Sequence, residues 1–593
     1  MKRIAAVLLA VAVLIAPWGL VANDQSPSPP IANFALLDID GQRVQLSDFR
    51  DKPVVAVIFL GTECPLVNLY LIPLKNLHEE FSGKGVQFLA INSNTQDTPD
   101  MVAAHARTHG IPFPVLKDHD HKVADLFGAK RTPEAFLLDK ERRIVYRGRI
   151  DDHFGIGYQR AAPTRRDLAE AIRETLAGKP VSVSRTEAVG CLIGREKPTK
   201  IEGTVTYSKH VARILQKHCQ ECHRPGQIGP FSLMTYEKAK AWSDTLVEIV
   251  QAGRMPPWHA DPRYGKFSND RSMSQEDKDL LAAWVAQGCP KGDEKDMPPP
   301  RQFPAGEGWR IGTPDVVISM SESFTVPAQA PPGGVPYQHF IVDTNFDRDM
   351  WVQAAEAKPG AKAVVHHIIA YVIGPGERFD PRSEDGLGRG LLVATAPGDI
   401  PTIYKPGLAK KVPKGAKIIF QMHYTPNGEE TVDRSSIGLI FAKEPPQHVV
   451  RTRAPLNRTF VIPPGAKNHR VECATVFRKD AMLLNFMPHM HLRGKSFEYK
   501  AVYPDGKTEI LLSIPRYDFS WQTYYQLAEP KFLPAGTRIE CTAYFDNSAE
   551  NLNNPDPTKP VRWGDQTWEE MMIGWMDYYY LDEKPNVASA EKD

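Results

Sequence analysis

The hydrophobic pattern changes its period twice along the chain. From about Phe34 to Lys179, short apolar runs alternate with amphipathic stretches. Val54-Val55-Ala56-Val57-Ile58-Phe59 is an unbroken apolar run of strand length, and Val86 to Asn92 is a second. The first leads into Gly61-Thr62-Glu63-Cys64-Pro65, where a helix is predicted to start. Met101 to Thr108 predicts another helix. Ala135 to Leu138 and Ile144 to Tyr146 read as strands joined by a turn, and Asp167 to Leu176 as a closing helix before Gly178. From about Gly203 to Lys291 the period becomes helical: Lys209 to Lys217, Tyr236 to Val250, and a helix capped by Ser274 that runs to Gln287. A charged, proline-rich linker, Asp293 to Pro300, follows. Beyond it, strands are predicted at 315–319, 337–342, 364–373, 416–424, 437–442, 459–462, 471–477, 482–491, 497–503, 536–547 and 572–580. Many short strands with proline and glycine turns predict two antiparallel sandwiches, dividing near Pro445 to Pro455.

Length fits this division. A chain of 593 residues exceeds one core, so about three to five domains are expected. The predicted units are 30–192 (α/β), 203–296 (all-α), 305–448 and 455–584 (all-β). The formal net charge of +1 argues against a nucleic-acid or acidic-lipid partner held by bulk charge. Lys2 and Arg3 precede an apolar run from Ile4 to Ile15, and small residues end the segment near Ala22. This predicts a cleaved signal peptide, 1–22, and a periplasmic or secreted protein with no stable membrane span after cleavage. An uncleaved membrane anchor is the alternative.

Cys219-Gln220-Glu221-Cys222-His223 offers two thiols on one helical turn and an adjacent imidazole. That is what one covalently bound haem c requires, with His223 on the iron. Met255, in a rigid Met-Pro-Pro loop, is the favoured distal ligand; Met234, Met273 and His259 are alternatives. Two of the seven cysteines would be consumed by haem; a zinc site or a chance match is the alternative reading of the motif. Cys64 at a predicted helix N-terminus is a candidate redox thiol, because that position lowers a thiol pKa. Cys191, in Val189-Gly190-Cys191-Leu192, is its candidate partner.

The β half carries His366-His367, His423, His489-Met490-His491 and Met571. Five imidazoles and a thioether suffice for two copper ions. Residues i and i+2 of a strand face one way, so His489 and His491 can hold one metal. His366 and His367 need a local irregularity to share another, with His423 completing it.

Resemblances add to these readings. The order of elements over 30–192, with Pro133 in the place of a cis-proline, resembles the thioredoxin and peroxiredoxin superfamily. Val67 stands where a thioredoxin has its second cysteine, and Gly61 where a peroxiredoxin has threonine. The helical unit resembles a small class I cytochrome c. Val365-His366-His367-Ile368, Gln421-Met422-His423-Tyr424, His489-Met490-His491 and Glu570-Met571 resemble, in order, the ligand motifs of the copper type II, ascorbate-dependent monooxygenases. That likeness covers almost half the chain. It implies two jelly-roll sandwiches across a solvent-filled cleft, and hydroxylation of a C–H bond with O₂. His366, His367 and His423 would hold the electron-storing copper, and His489, His491 and Met571 the oxygen-binding one; Met572 and Met576 are rival thioethers. Ascorbate or a periplasmic redox protein would be the electron donor, and the fused haem a further source. The substrate would be a small molecule or peptide. Met487 replaces the arginine that grips a peptide carboxylate in the amidating members, and Trp575 replaces their substrate tyrosine, so a peptidylglycine substrate is not expected. Met572 replaces the cysteine after the ligand methionine, so that family disulfide is lost; Cys473 and Cys541, on predicted strands of one sandwich, are a candidate pair instead. A periplasmic haem and copper electron-transfer or copper-handling protein without hydroxylase turnover is the alternative function.

Overall fold

The computed structural model describes residues 29–160, 162–197, 203–303, 308–331, 334–377, 387–395 and 401–585. The predicted leader, 1–22, lies outside the described residues. No helix among the described residues is long and apolar enough to cross a membrane.

The apolar run at the start of the chain becomes the middle of a seven-stranded mixed sheet. Its order is Arg43–Gln45, Ala35–Asp38, Val115–Lys117, Val86–Asn92, Val54–Phe59, Glu134–Leu138, Ile144–Gly148. Every residue of Val54–Phe59 is buried, one face among residues of helices Pro65–Phe81 and Asp167–Leu176 and the other among residues of helix Lys122–Phe127. That explains an unbroken apolar run rather than an alternating one. Each of its Val, Ile and Phe side chains contributes about 1.5–3 kcal/mol by burial. The strand delivers the chain to Cys64, the N-cap of helix Pro65–Phe81, with Pro65 in the first turn.

The regular elements described between 203 and 303 are helical. The stretch expected as one helix over 236–250 is two, Tyr236–Ala241 and Ser243–Gln251. They break at Trp242, whose indole is buried in the unit's core. Ala212–His218 follows a wide turn at Tyr207–Val211, where a single helix was expected from 209. The predicted cap at Ser274 is present: its Oγ accepts the Asp277 N–H at 3.1 Å.

Each sandwich packs two sheets around an apolar core. The first faces a sheet built on Met350–Lys358 and Ser436–Phe441 against Gln338–Asp343, Lys417–Tyr424, Val365–Ile373 and Leu391–Thr395. The second faces Arg451–Arg453, Ile573–Tyr580, Ala481–His489 and Tyr525–Leu533 against His469–Val476, Arg538–Phe545, Gly494–Val502 and Thr508–Ile514. Several of these strands escape a hydrophobicity reading. Tyr525–Leu533 carries Glu529, Pro530 and Lys531, tolerated because the strand lies at a sheet edge.

A buried polar knot fastens the sandwiches together. Asp577 of the second accepts from Tyr404 of the first at 2.8 Å, from Asn485 at 2.9 Å, and from Thr452. Lys410 of the first sandwich lies 3.5 Å from Asp577 and donates to the Leu391 carbonyl at 2.9 Å. An apolar cluster including Tyr371, Leu391, Met487, Met571 and Trp575 crosses the same boundary. A solvent-filled cleft was expected; the sandwiches pack directly at this boundary and also flank two cavities, of about 330 and 1420 Å³.

Candidate functional site

Strand Val365–Ile373 pairs with Lys417–Tyr424 so that His367 lies opposite His423, and the register slips between Val365 and His367. That β-bulge is the irregularity that adjacent histidines need to face one point. The ligand nitrogens of His366, His367 and His423 all lie within 4.8 Å of one another. His367 Nε2 and His423 Nδ1 are buried without a hydrogen-bond partner. Burial pushes His366 down to about 4 and His423 to about 3, and His367 well below its usual range. All three are thus neutral imidazoles, the form that binds a metal. A donor set of three imidazoles suits copper, zinc, iron or nickel. The Tyr337 ring packs edge-on against His367 and His423, at 5.5 and 4.8 Å between centroids.

The second set begins where strand Ala481–His489 ends. The His489 and His491 rings stand perpendicular with centroids 5.2 Å apart. Gln522 Oε1 lies 2.7 Å from His489 Nδ1; accepting its N–H there leaves Nε2 as the ligand atom. His491 Nδ1 is buried and unpartnered. Burial pushes His489 down to about 4 and His491 well below its ordinary value. The Glu570 carboxyl ties the pieces together. It accepts the backbone N–H of His491 at 2.8 Å, of Arg493 at 2.6 Å and of Met571 at 3.3 Å. Burial raises Glu570 to about 8 against these hydrogen bonds. His489 and Met571 line the cavity between the sandwiches, together with Met487 and Trp575. Met572 and Met576 point into the core of the second sandwich, which removes them as rivals.

One ring touches both sets, and His367 and His489 line the same cavity. Phe519 stacks on His366 at 5.1 Å and meets His491 edge-on at 6.0 Å. No sequence pattern signalled Phe519 or Gln522, which lie in a loop without period. The cavity is also not free of positive charge, since Arg458 lines it and its guanidinium sits 5.3 Å over Trp563.

A second cavity, about 1420 Å³, is walled by all four units. Cys219, Cys222, His223 and Met255 line it, and so does His366. This exceeds the roughly 300–1,000 Å³ of ordinary small-molecule sites, room for a macrocycle. His223 Nδ1 donates to the Phe231 carbonyl at 3.0 Å, which leaves Nε2 for an iron. Arg254, Lys495 and Arg516 stand on its wall. His259 also lines the cavity. Met273 instead packs in the helical core and Met234 is not on the wall.

Cys64 is fully buried at its helix N-terminus, with Sγ 3.0 Å from the Thr132 carbonyl. Cys191 reaches it on the two-residue strand Cys191–Leu192, which pairs with Arg131–Thr132 so that Cys191 lies opposite Thr132. The two thiols hydrogen-bond each other. Burial raises the Cys64 pKa, but donation by the Cys191 thiol and by backbone N–H groups outweighs it and brings Cys64 to about 7. Holding that proton, Cys191 is pushed well above the ordinary thiol range. Thr132–Pro133 beside them is cis. Cys473 and Cys541 sit directly opposite on paired strands, and both are free thiols.

Comparison with known proteins bears on the N-terminal unit. Residues 27–147 match the AhpC/TSA family. The N-terminal domain is a thioredoxin-like redoxin. The thiol-disulfide oxidoreductase ResA of Bacillus subtilis (strain 168) is 31% identical over 115 residues, 19% of this chain and 62% of that protein. The chloroplastic peroxiredoxin Q of Triticum aestivum is 29% identical over 138 residues, 22% of this chain and 62% of that protein. The chain thus spans about 62% of these curated relatives. Among solved structures, hypothetical protein SMc02350 from Sinorhizobium meliloti 1021 is 34% identical, covering 29% of this chain and 97% of that one, with a TM-score of 0.26. Cys191 lies beyond the stretch that matches the redoxin family.

The redoxin domain is riveted to the helical unit beside this pair. Arg131 binds Glu248 at 2.8 Å, and Glu63, next to Cys64, accepts from Lys238 at 2.9 Å and Trp242 at 3.3 Å. Cys191 packs against both the redoxin core and the helical core.

Proposed function

We propose that the chain is an exported copper-dependent monooxygenase that hydroxylates a substrate C–H bond with O₂, with electrons supplied through the fused haem unit. The meeting of His366, His367 and His423, with two ring nitrogens buried and unpartnered, carries this reading. An unsatisfied buried polar atom costs about 1–3 kcal/mol, which a bound metal ion would relieve. Copper, when bound, supplies the one-electron and O₂ chemistry that protein side chains lack. The chain's own residues do the rest. Gln522 and Glu570 hold His489, His491 and Met571 in place, and Met487 and Trp575 give the substrate cavity an apolar wall. The shared wall of His366 and the Cys-x-x-Cys-His motif supports the helical unit as electron donor. Metal and haem analysis of the purified protein is expected to give two copper ions and one haem per chain. Oxygen uptake with ascorbate should then depend on Met571 and yield a product heavier by one oxygen. Full copper loading without oxygen uptake over a broad substrate screen would favour an electron-transfer or copper-handling role.

A second activity belongs to the redoxin domain. The paired thiols and the low pKa of Cys64 support thiol–disulfide exchange, the chemistry named for the ResA relatives.

A further inference from the structure

A thioredoxin sets both of its thiols on one helix turn, yet here Val67 fills the second position and is fully buried. The partner thiol comes instead from a segment outside the matched redoxin stretch, and the two sulfurs differ in access. Cys64 has no exposed surface. Cys191 is partly exposed and lines the 1420 Å³ cavity, whereas Cys64 does not. Leu69 and Ile156, on the redoxin side, add apolar surface to the same wall.

Building on the thiol–disulfide reading, we propose that Cys64 and Cys191 form a redox pair whose outward sulfur is Cys191, with Cys64 as the buried leaving group. The partner is a dithiol, and it approaches from the cavity shared with the haem motif. In the oxidised pair, a thiolate of the donor attacks Cys191 Sγ. The Cys191–Cys64 bond breaks, a mixed disulfide forms on Cys191, and Cys64 departs as a thiolate. The donor's second thiolate then attacks its own sulfur in the mixed disulfide and releases Cys191, which takes up a proton. The donor loses two electrons and two protons. The pair gains both electrons and one proton, held by Cys191, and the other proton goes to solvent. Attack at the open sulfur with expulsion of the more acidic thiol is the fast direction of exchange. The geometry reserves that direction for Cys191, since Gly190 and Arg131 fix its strand: a Cβ on Gly190 would meet the Thr132 carbonyl oxygen at 2.0 Å, and Arg131 donates to the Gly190 carbonyl at 2.7 Å.

The test uses the full-length holoprotein and glutathione as probe. Oxidised wild-type protein should yield a Cys64–Cys191 peptide on non-reducing mapping. After brief exposure to reduced glutathione and acid quenching, the adduct should sit on Cys191. With glutathione disulfide, Cys64→Ser should acquire the adduct on Cys191 at least tenfold faster than Cys191→Ser acquires it on Cys64, in variants whose thermal melts match wild type. An adduct formed equally fast or faster on Cys64 overturns the assigned polarity and leaves thiol exchange standing. No Cys64–Cys191 peptide and no adduct on either thiol overturns both.

Discussion

At the scale of single residues, the chemistry rests on which atoms burial leaves without a partner. His367 Nε2, His423 Nδ1 and His491 Nδ1 are buried imidazole nitrogens without a protein hydrogen-bond partner. The Cys64 and Cys191 thiols solve the same problem by sharing one proton. The sign of the pH dependence follows. Below about pH 7 both sulfurs are thiols, and above it Cys64 is the thiolate while Cys191 keeps its proton. Ultraviolet thiolate absorbance of the reduced protein should therefore rise with a midpoint near pH 7, and Cys64→Ser should abolish that step. Cys191→Ala removes the strongest donor and should move the midpoint up toward the ordinary thiol value of 9.0. An unchanged midpoint would assign the acidity to the helix N-terminus alone.

At the scale of elements, two small irregularities do most of the positioning. One is the bulge that turns His366 and His367 toward His423. The other is the two-residue strand that brings Cys191 to Thr132. Gly190→Ala would drive a methyl group into the Thr132 carbonyl. We expect the Cys64–Cys191 peptide to fall several-fold in oxidised protein, with the melting transition of the redoxin domain largely retained; quantitative non-reducing mapping measures it. Much of this was legible beforehand. The central strands announce themselves through apolar runs, and adjacent histidines on a strand demand an irregularity by geometry alone. Cys191 could be nominated from its position but not seated, because strand pairing across sixty residues leaves no local pattern. Phe519, Gln522 and the anchoring carboxyl of Glu570 act through tertiary contacts that have no period. Edge strands with proline or lysine, such as Tyr525–Leu533, hide because solvent rather than a core dictates half their side chains.

At the scale of the whole molecule, the sandwiches behave as one body. Asp577 and Lys410 are both buried, and Tyr404, Asn485 and Thr452 close around them. Asp577→Ala leaves the Lys410 ammonium buried without its counter-charge. A loss of about 3–5 kcal/mol is expected, read from urea unfolding. Two transitions in place of one would show that this knot is what joins the sandwiches. The large cavity is likewise a property of no single unit, since redoxin, helical bundle and both sandwiches each build part of its wall. Such a chamber exists only when the last of its walls arrives, so the room it offers a prosthetic group or an incoming thiol is set by how the units dock and by the fold of none of them alone.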